Sequence, residues 1–274
     1  MKFLIPTDFS ENAFHAAAYA LTLVKEKPGS SIHLLHVIAP VVTDPLIIPD
    51  IEKEAANSLE EILEDLKSRC SICHFSHSIR IGETSTEITN VAEEWNPGII
   101  VMGIRGLGKK SRFLFGSNTI SLINKSSRPI LVIPEGSAFR SPRKIVFGTD
   151  YYDSDLDALH QLLPIANAFN SEIIITHIFE ESDEEQSEQA MMNFMSGEIF
   201  KKIQYPRIEY QIYKSRNVAL GIKHFCEFTE ADLLVLSAHK RNVFQKLFQN
   251  SITKDTSYNS DIPLLIFHIH KTDS

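Results

Sequence analysis

Apolar residues alternate along the chain between short β-branched runs and longer stretches at helical spacing. Lys2-Phe3-Leu4-Ile5 reads as a strand that ends at Pro6-Thr7-Asp8. Ser10 then caps a helix whose apolar positions Ala13, Ala16, Ala17, Ala20, Leu21 and Val24 lie on one face. Pro28-Gly29 ends that helix, and Ile32 to Ile38 reads as the second strand. Residues 39–50 carry Pro40, Pro45 and Pro49, which excludes regular helix and predicts a loop. Ile51 to Lys67 returns to helix through Ile51, Ala55, Leu59, Ile62, Leu63 and Leu66, with Glu and Lys on the outer face. His74 to Ile81 is a third strand, and Gly82-Glu83-Thr84 turns into a helix from Ser85 to Glu94. Asn96-Pro97-Gly98 delivers the chain into Ile99-Ile100-Val101-Met102, whose composition suits a strand buried on both faces. With a closing strand at Ile130-Leu131-Val132-Ile133, the order is βαβαβαβαβ, a parallel α/β arrangement.

Beyond Glu135 to Arg143, which reads as a linker, the pattern repeats. Lys144-Ile145-Val146-Phe147-Gly148-Thr149-Asp150 matches Lys2 through Asp8 at a displacement of 142 residues (144 minus 2), with Thr-Asp recurring at the strand end. Glu172 to Ile178 repeats the second strand and Leu233 to Leu236 the fourth. Pro263 to Phe267 repeats Pro129 to Ile133 at a displacement of 134 (263 minus 129). The chain is an internal duplication, with domains at 1–138 and 142–274.

Between the fourth and fifth strands of the first half lies a loop with Gly103, Gly106, Gly108 and Gly116, four of the chain's 11 glycines. A side chain at such positions keeps backbone from approaching a ligand or from taking positive φ. Ser117-Asn118 follow as N-cap residues, and a helix begins at Thr119, so its free amides and dipole can hold phosphate. The overlapping run Gly103-x4-Gly108-Lys109-Lys110 falls short of a P-loop: Lys110 stands where the magnesium-holding Ser or Thr is needed. Asp8, just past a strand's carboxyl end, can accept from a base amine or a ribose hydroxyl; an ordinary capping aspartate is the alternative. In the second half Gly103, Gly106 and Gly116 fall on Ser237, Lys240 and Asn250, with Ser251 beside Ser117, so that site reads as degenerate. Lys240 can reach a phosphate, but it fills the space Gly106 leaves. The acidic run Glu180 to Glu185 either opposes an anionic ligand or is a solvated helix start.

Length and composition then narrow the function. At 274 residues and 43% hydrophobic content there is material for two packed cores. A net charge of −8 without a long basic block disfavours nucleic-acid and anionic-membrane partners. No apolar run approaches the roughly 18 residues of a membrane span, and the start is too short for a signal peptide, so a cytoplasmic location is expected. Three cysteines give no disulfide framework and suit a reducing compartment. Cys70-x2-Cys73-His74-x2-His77 has zinc-like spacing, yet it runs from a helix end into a strand, which throws alternate side chains to opposite faces. The favoured reading is a small buried cysteine and ordinary strand residues with no metal, and metal or redox chemistry is the alternative. No Ser-His-Asp spacing, carboxylate cluster or Walker pair marks a catalytic residue.

The spacing Gly103-x2-Gly106-x9-Gly116-Ser117-Asn118, bracketed by two strands, resembles the nucleotide-binding signature of the universal stress protein family in its ATP-binding branch. The likeness covers the whole chain as two tandem domains. It implies two five-stranded parallel sheets flanked by helices, of the Rossmann-like, adenine nucleotide alpha hydrolase-like kind. Residue by residue it places Asp8 and Val37 at the base, Met102 and Gly103 near the ribose, and Gly106, Gly116, Ser117 and Asn118 at the phosphates, with Pro6 and Thr7 also among the nucleotide-binding residues. Arg105, Lys109 and Arg112 are further candidate phosphate cations. The expected ligand is ATP, with AMP or ADP as alternatives, together with Mg²⁺. The expected role is regulatory in a stress response, with an unknown protein partner. The duplicated units are expected to pack as an internal pseudo-dimer, and a homodimer is the further assembly considered. Two other classes compete: a slow ATP hydrolase or related adenine-nucleotide enzyme, and a ligand-free interaction scaffold. The first should carry a Ser- and Gly-rich phosphate loop after the first strand, where this chain has Pro6-Thr7-Asp8-Phe9-Ser10-Glu11.

Overall fold

The structure is a computed structural model and describes residues 1–24, 27–39, 47–104, 117–179, 189–190, 193, 203–237 and 261–268. They fall into two compact units, one ending at Arg140 and the other running from Ser141. The first contains β1 (Lys2–Pro6), α1 (Glu11–Val24), β2 (Ser31–Ile38), α2 (Ile48–Arg69), β3 (His74–Ile81), α3 (Thr84–Trp95), β4 (Ile99–Ile104), α4 (Ser117–Lys125) and β5 (Ile130–Pro134). The second contains β6 (Lys144–Gly148), α5 (Asp153–Phe169), β7 (Glu172–Phe179), β8 (Ile208–Lys214), α6 (Val218–Phe228), β9 (Leu233–Ser237) and β10 (Leu264–Phe267).

Within the first unit the strands lie in the order β3-β2-β1-β4-β5, and within the second in the order β8-β7-β6-β9-β10, with parallel pairing in both. The registers repeat as well. Phe3 pairs with Ile99 as Ile145 does with Leu233, and Gly103 pairs with Ile133 as Ser237 does with Phe267. Ile99, Ile100, Val101 and Met102 are all buried, the outcome their unbroken apolar run predicts; each buried Ile or Val contributes about 1.5–3 kcal/mol. The helical face of α1 is likewise buried through Ala13, Ala16, Ala17, Ala20, Leu21 and Val24.

Two expectations need correction. The segment 39–50 is not loop throughout: α2 begins at Ile48 and carries Pro49 in its first turn. Proline is tolerated there because the N–H it lacks would have had no intrahelical acceptor. Gly103 does not belong to the loop, because β4 continues through it to Ile104.

Candidate functional site

The strand order reverses between β1 and β4, and open parallel sheets present their ligand crevice at the carboxyl ends of such a pair. Pro6 closes β1 and Thr7-Asp8 follow it, Val37 stands near the end of β2, and Met102 and Gly103 stand near the end of β4. The parallel sheet therefore brings these six to one edge. Ser117 and Asn118 open α4. Asp8 and Asn118 are exposed, whereas Thr7 and Met102 are buried. Arg105, Gly106 and Gly116 lie outside the described residues, as do Gly108, Lys109, Arg112, Lys240, Asn250, Ser251 and the run Glu180 to Glu185.

The turn after β1 is tightly specified. Thr7 N donates to Leu35 O at 2.8 Å, and Thr7 Oγ1 accepts from Phe9 N at 3.0 Å. Asp8 Oδ1 accepts from Ser10 N at 3.0 Å, and Ser10 Oγ from Ala13 N at 3.3 Å, the cap anticipated for α1. These bonds hold Phe9 at φ 62°, a left-handed conformation costing a non-glycine residue about 1–2 kcal/mol. Phe9 stacks on His36 at the end of β2, with ring centroids 4.3 Å apart and planes at 30°. His36 Nδ1 donates to Thr7 O at 2.8 Å. Because a carbonyl can only accept, Nδ1 carries a proton.

The second unit repeats this assembly. Tyr151 stands at φ 64°, its N–H donates to Thr149 Oγ1 at 2.9 Å, and its ring lies 4.8 Å from that of His177. His177 Nδ1 donates to Thr149 O at 2.8 Å and lies 3.4 Å from Asp150 Oδ1. Burial and then the Asp150 charge push the Tyr151 phenol up, so it remains a neutral hydroxyl. This aromatic–histidine pair carries no motif of its own in the sequence. Its signal was the duplication itself, which sets Phe9 against Tyr151 and His36 against His177.

The units part company at the strand-order reversal. In the first, a Cβ placed on Gly103 would lie 2.1 Å from Asn12 O and 3.1 Å from Ala13 N. The glycine is thus demanded by the first turn of α1, independently of any ligand. In the second, the counterpart of Ala13 is Asp155 (155 minus 142), which is fully buried. Asp155 Oδ2 accepts from Thr149 Oγ1 at 2.7 Å and from Asp150 N at 3.1 Å, and Oδ1 accepts from Ser237 Oγ at 2.5 Å. A side-chain carboxylate and its three donors fill the place between the ends of β6 and β9.

Helix α4 is pinned to α3 from the far side. Lys125 Nζ donates to Ser85 Oγ at 2.8 Å and pairs with Glu83 Oε2 at 3.2 Å, while Ser85 Oγ and Ser121 Oγ are 2.8 Å apart. Glu83 caps α3 by accepting from Ser85 N and Thr86 N. The Thr86 side chain, followed by that of Ser85, holds its carboxyl far below the usual range. Of the Cys/His constellation, Cys70 and Cys73 are buried with their sulfurs 2.8 Å apart, whereas His74 is exposed. Among the described residues no group of three or more His, Cys, Asp or Glu side chains is placed to hold a metal, and no helix is long and apolar enough to cross a membrane.

The profile of the universal stress protein family matches residues 1–134 and again 142–268. A universal stress protein from Methanocaldococcus jannaschii is 30% identical over 152 residues, covering 48% of this chain and 93% of its own. Another from Mycolicibacterium smegmatis is 21% identical over 259 residues, covering 86% of each. Among solved structures, a universal stress protein from Archaeoglobus fulgidus superposes with a TM-score of 0.72 at 20% identity, covering 97% of this chain and 98% of its own. The duplicated sheet, the repeated registers and the two profile matches lead to one conclusion: the chain belongs to the universal stress protein family and carries two of its domains in tandem.

Proposed function

We propose that the first unit binds an adenine nucleotide, ATP with Mg²⁺, at the carboxyl edge between β1 and β4, and that the protein acts as a nucleotide-responsive regulator in a stress response. The observation that carries this reading is the difference between the two strand-order reversals. In the second unit the buried Asp155 carboxylate consumes the donors of Thr149, Asp150 and Ser237. A fixed negative group there opposes a phosphate-bearing ligand. At the matching positions the first unit has uncharged Ala13 and Gly103, and the exposed Asp8 follows β1 at the same carboxyl edge. The first unit also carries the glycine-rich sequence leading into α4, and that helix is held at its other end by Lys125 on Glu83 and Ser85. Ligand binding through free amides at a helix start needs no nucleophile or general base, so the site suits holding a nucleotide rather than turning it over.

Nucleotide analysis of freshly purified protein tests this. Unchanged ATP recovered from the protein supports the regulator; hydrolysis products identify an enzyme, and an empty protein that also fails to take up ATP with Mg²⁺ identifies a scaffold. For the second unit alone the scaffold reading is favoured by the Asp155 network.

A further inference from the structure

We propose that Cys70 and Cys73 form a reversible redox site, a dithiol that a low-molecular-weight disulfide converts to an intrachain disulfide. The two sulfurs lie 2.8 Å apart, against the roughly 2 Å of the covalent bond, so closure needs a small adjustment. Both ends of the short segment are fixed by backbone. Cys70 N donates to Leu66 O and Lys67 O at the end of α2, and His74 N, at the start of β3, donates to Ser30 O at 2.9 Å. Closure therefore leaves helix and strand in place and turns only the side chains and the two residues between them. Those residues, Ser71 and Ile72, are exposed, so a small disulfide can approach from solvent although each cysteine is itself mostly covered.

The order of attack follows from the surroundings. Burial, reinforced by its contact with Cys70, pushes the Cys73 thiol up to about 12, which keeps it protonated. With Cys73 held protonated, Cys70 attacks first: its proton passes to water, its sulfur bonds one sulfur of the oxidant, and the other half leaves as a thiolate. Cys73 then loses its proton to that base or to water, attacks the Cys70 sulfur and expels the second thiol. Two electrons pass from the protein dithiol to the small disulfide, which leaves as two thiols. The second unit has no counterpart, since its one cysteine, Cys226, is alone and buried on α6.

Full-length protein is equilibrated with glutathione disulfide in excess, quenched with acid, alkylated and digested with trypsin. Cleavage after Arg69 and Arg80 isolates Cys70 and Cys73 in one peptide, apart from Cys226. The expected result is a peptide lighter by about 2 Da and refractory to alkylation, restored by dithiothreitol, with the chain still free of intermolecular cross-links. Cys73→Ser is expected to arrest the reaction at a glutathione adduct on Cys70. A wild-type peptide that keeps two alkylatable thiols, or that stops at a stable glutathione adduct, overturns the proposal.

Discussion

Ser237 Oγ donates to Asp155 Oδ1 at 2.5 Å, tying the last residue of β9 to the first turn of α5. Thr149 and Asp150 donate to the other oxygen of the same buried carboxylate. Asp155→Ala strands these donors away from water, at about 1–3 kcal/mol for a buried group left unsatisfied. The variant is expected to lose about 2–4 kcal/mol of stability in denaturant unfolding while binding ATP as the parent does. Undiminished stability would show that the network is not holding the second unit together.

Gly103 and Gly116 separate structure from ligand contact. Gly103→Ala places a methyl group 2.1 Å from Asn12 O, so α1 must shift; overpacking of this kind costs about 1–3 kcal/mol. The melting temperature should fall with and without nucleotide. Gly116→Val, by contrast, should leave the circular dichroism spectrum and melting temperature in place and abolish the calorimetric signal for ATP. If both variants behave alike, the two glycines do not have the different duties assigned to them.

Much of this is legible in the sequence. The strand His74 to Ile81 is observed with the bounds expected of it, and the displacements of 142 and 134 reappear as shared pairing registers. What escaped was of two kinds. Three prolines between residues 39 and 50 argue for loop, yet Pro49 stands in the first turn of α2, where a helix has no use for an N–H. In sequence Gly103 points to a ligand, because only the fold shows that the backbone of α1 crosses there. Asp155 stood in plain view as the counterpart of Ala13, but only the fold brings Ser237, 82 residues away, to its second oxygen.

The two aromatic–histidine pairs yield a matched experiment. Phe9→Ala and Tyr151→Ala each remove a ring from the histidine beneath it, an interaction of about 0.5–1.5 kcal/mol beyond area burial. Both should lower stability by about that amount or somewhat more. Only Phe9→Ala should weaken ATP binding, because its turn presents Asp8 to the first unit's site. Calorimetric titration of the two variants makes the comparison, and equal affinities would detach the turn from the site.

His33 gives the first unit an acid-sensitive element. Its ring lies between Ser76 Oγ and Ser78 Oγ, each at 2.8 Å, and 5.2 Å from Trp95. Burial first, then the charges of His77 and Arg80, lower it from 6.5 to about 4. Between those two values the unfolded chain binds more protons than the folded one, so stability rises with pH. The contribution is complete above about pH 6.5 and is lost as pH falls towards 4, with a slope of at most about 1.4 kcal/mol per pH unit. Urea unfolding across that window should show a shallower dependence in His33→Gln than in the parent; identical slopes would remove His33 as the cause.

One ATP per chain is the expected stoichiometry. The second unit has Ser237 for Gly103, Lys240 for Gly106 and Asn250 for Gly116, and its strand-order reversal is already filled by Asp155. Backbone that retreats from a phosphate forfeits charge-assisted bonds of about 1.5–3 kcal/mol each, and losing two weakens binding by roughly a hundredfold or more. Lys240 supplies a cation that offsets part of this, so the contrast is one of affinity rather than of all or none. Titration of the full chain with ATP and Mg²⁺ should therefore give a single strong event near one equivalent, which Gly116→Val removes. If Asp155→Ala or a substitution at Lys240 changed that event while Gly116→Val did not, the nucleotide would belong to the second unit, and the assignment made from the glycines would fall.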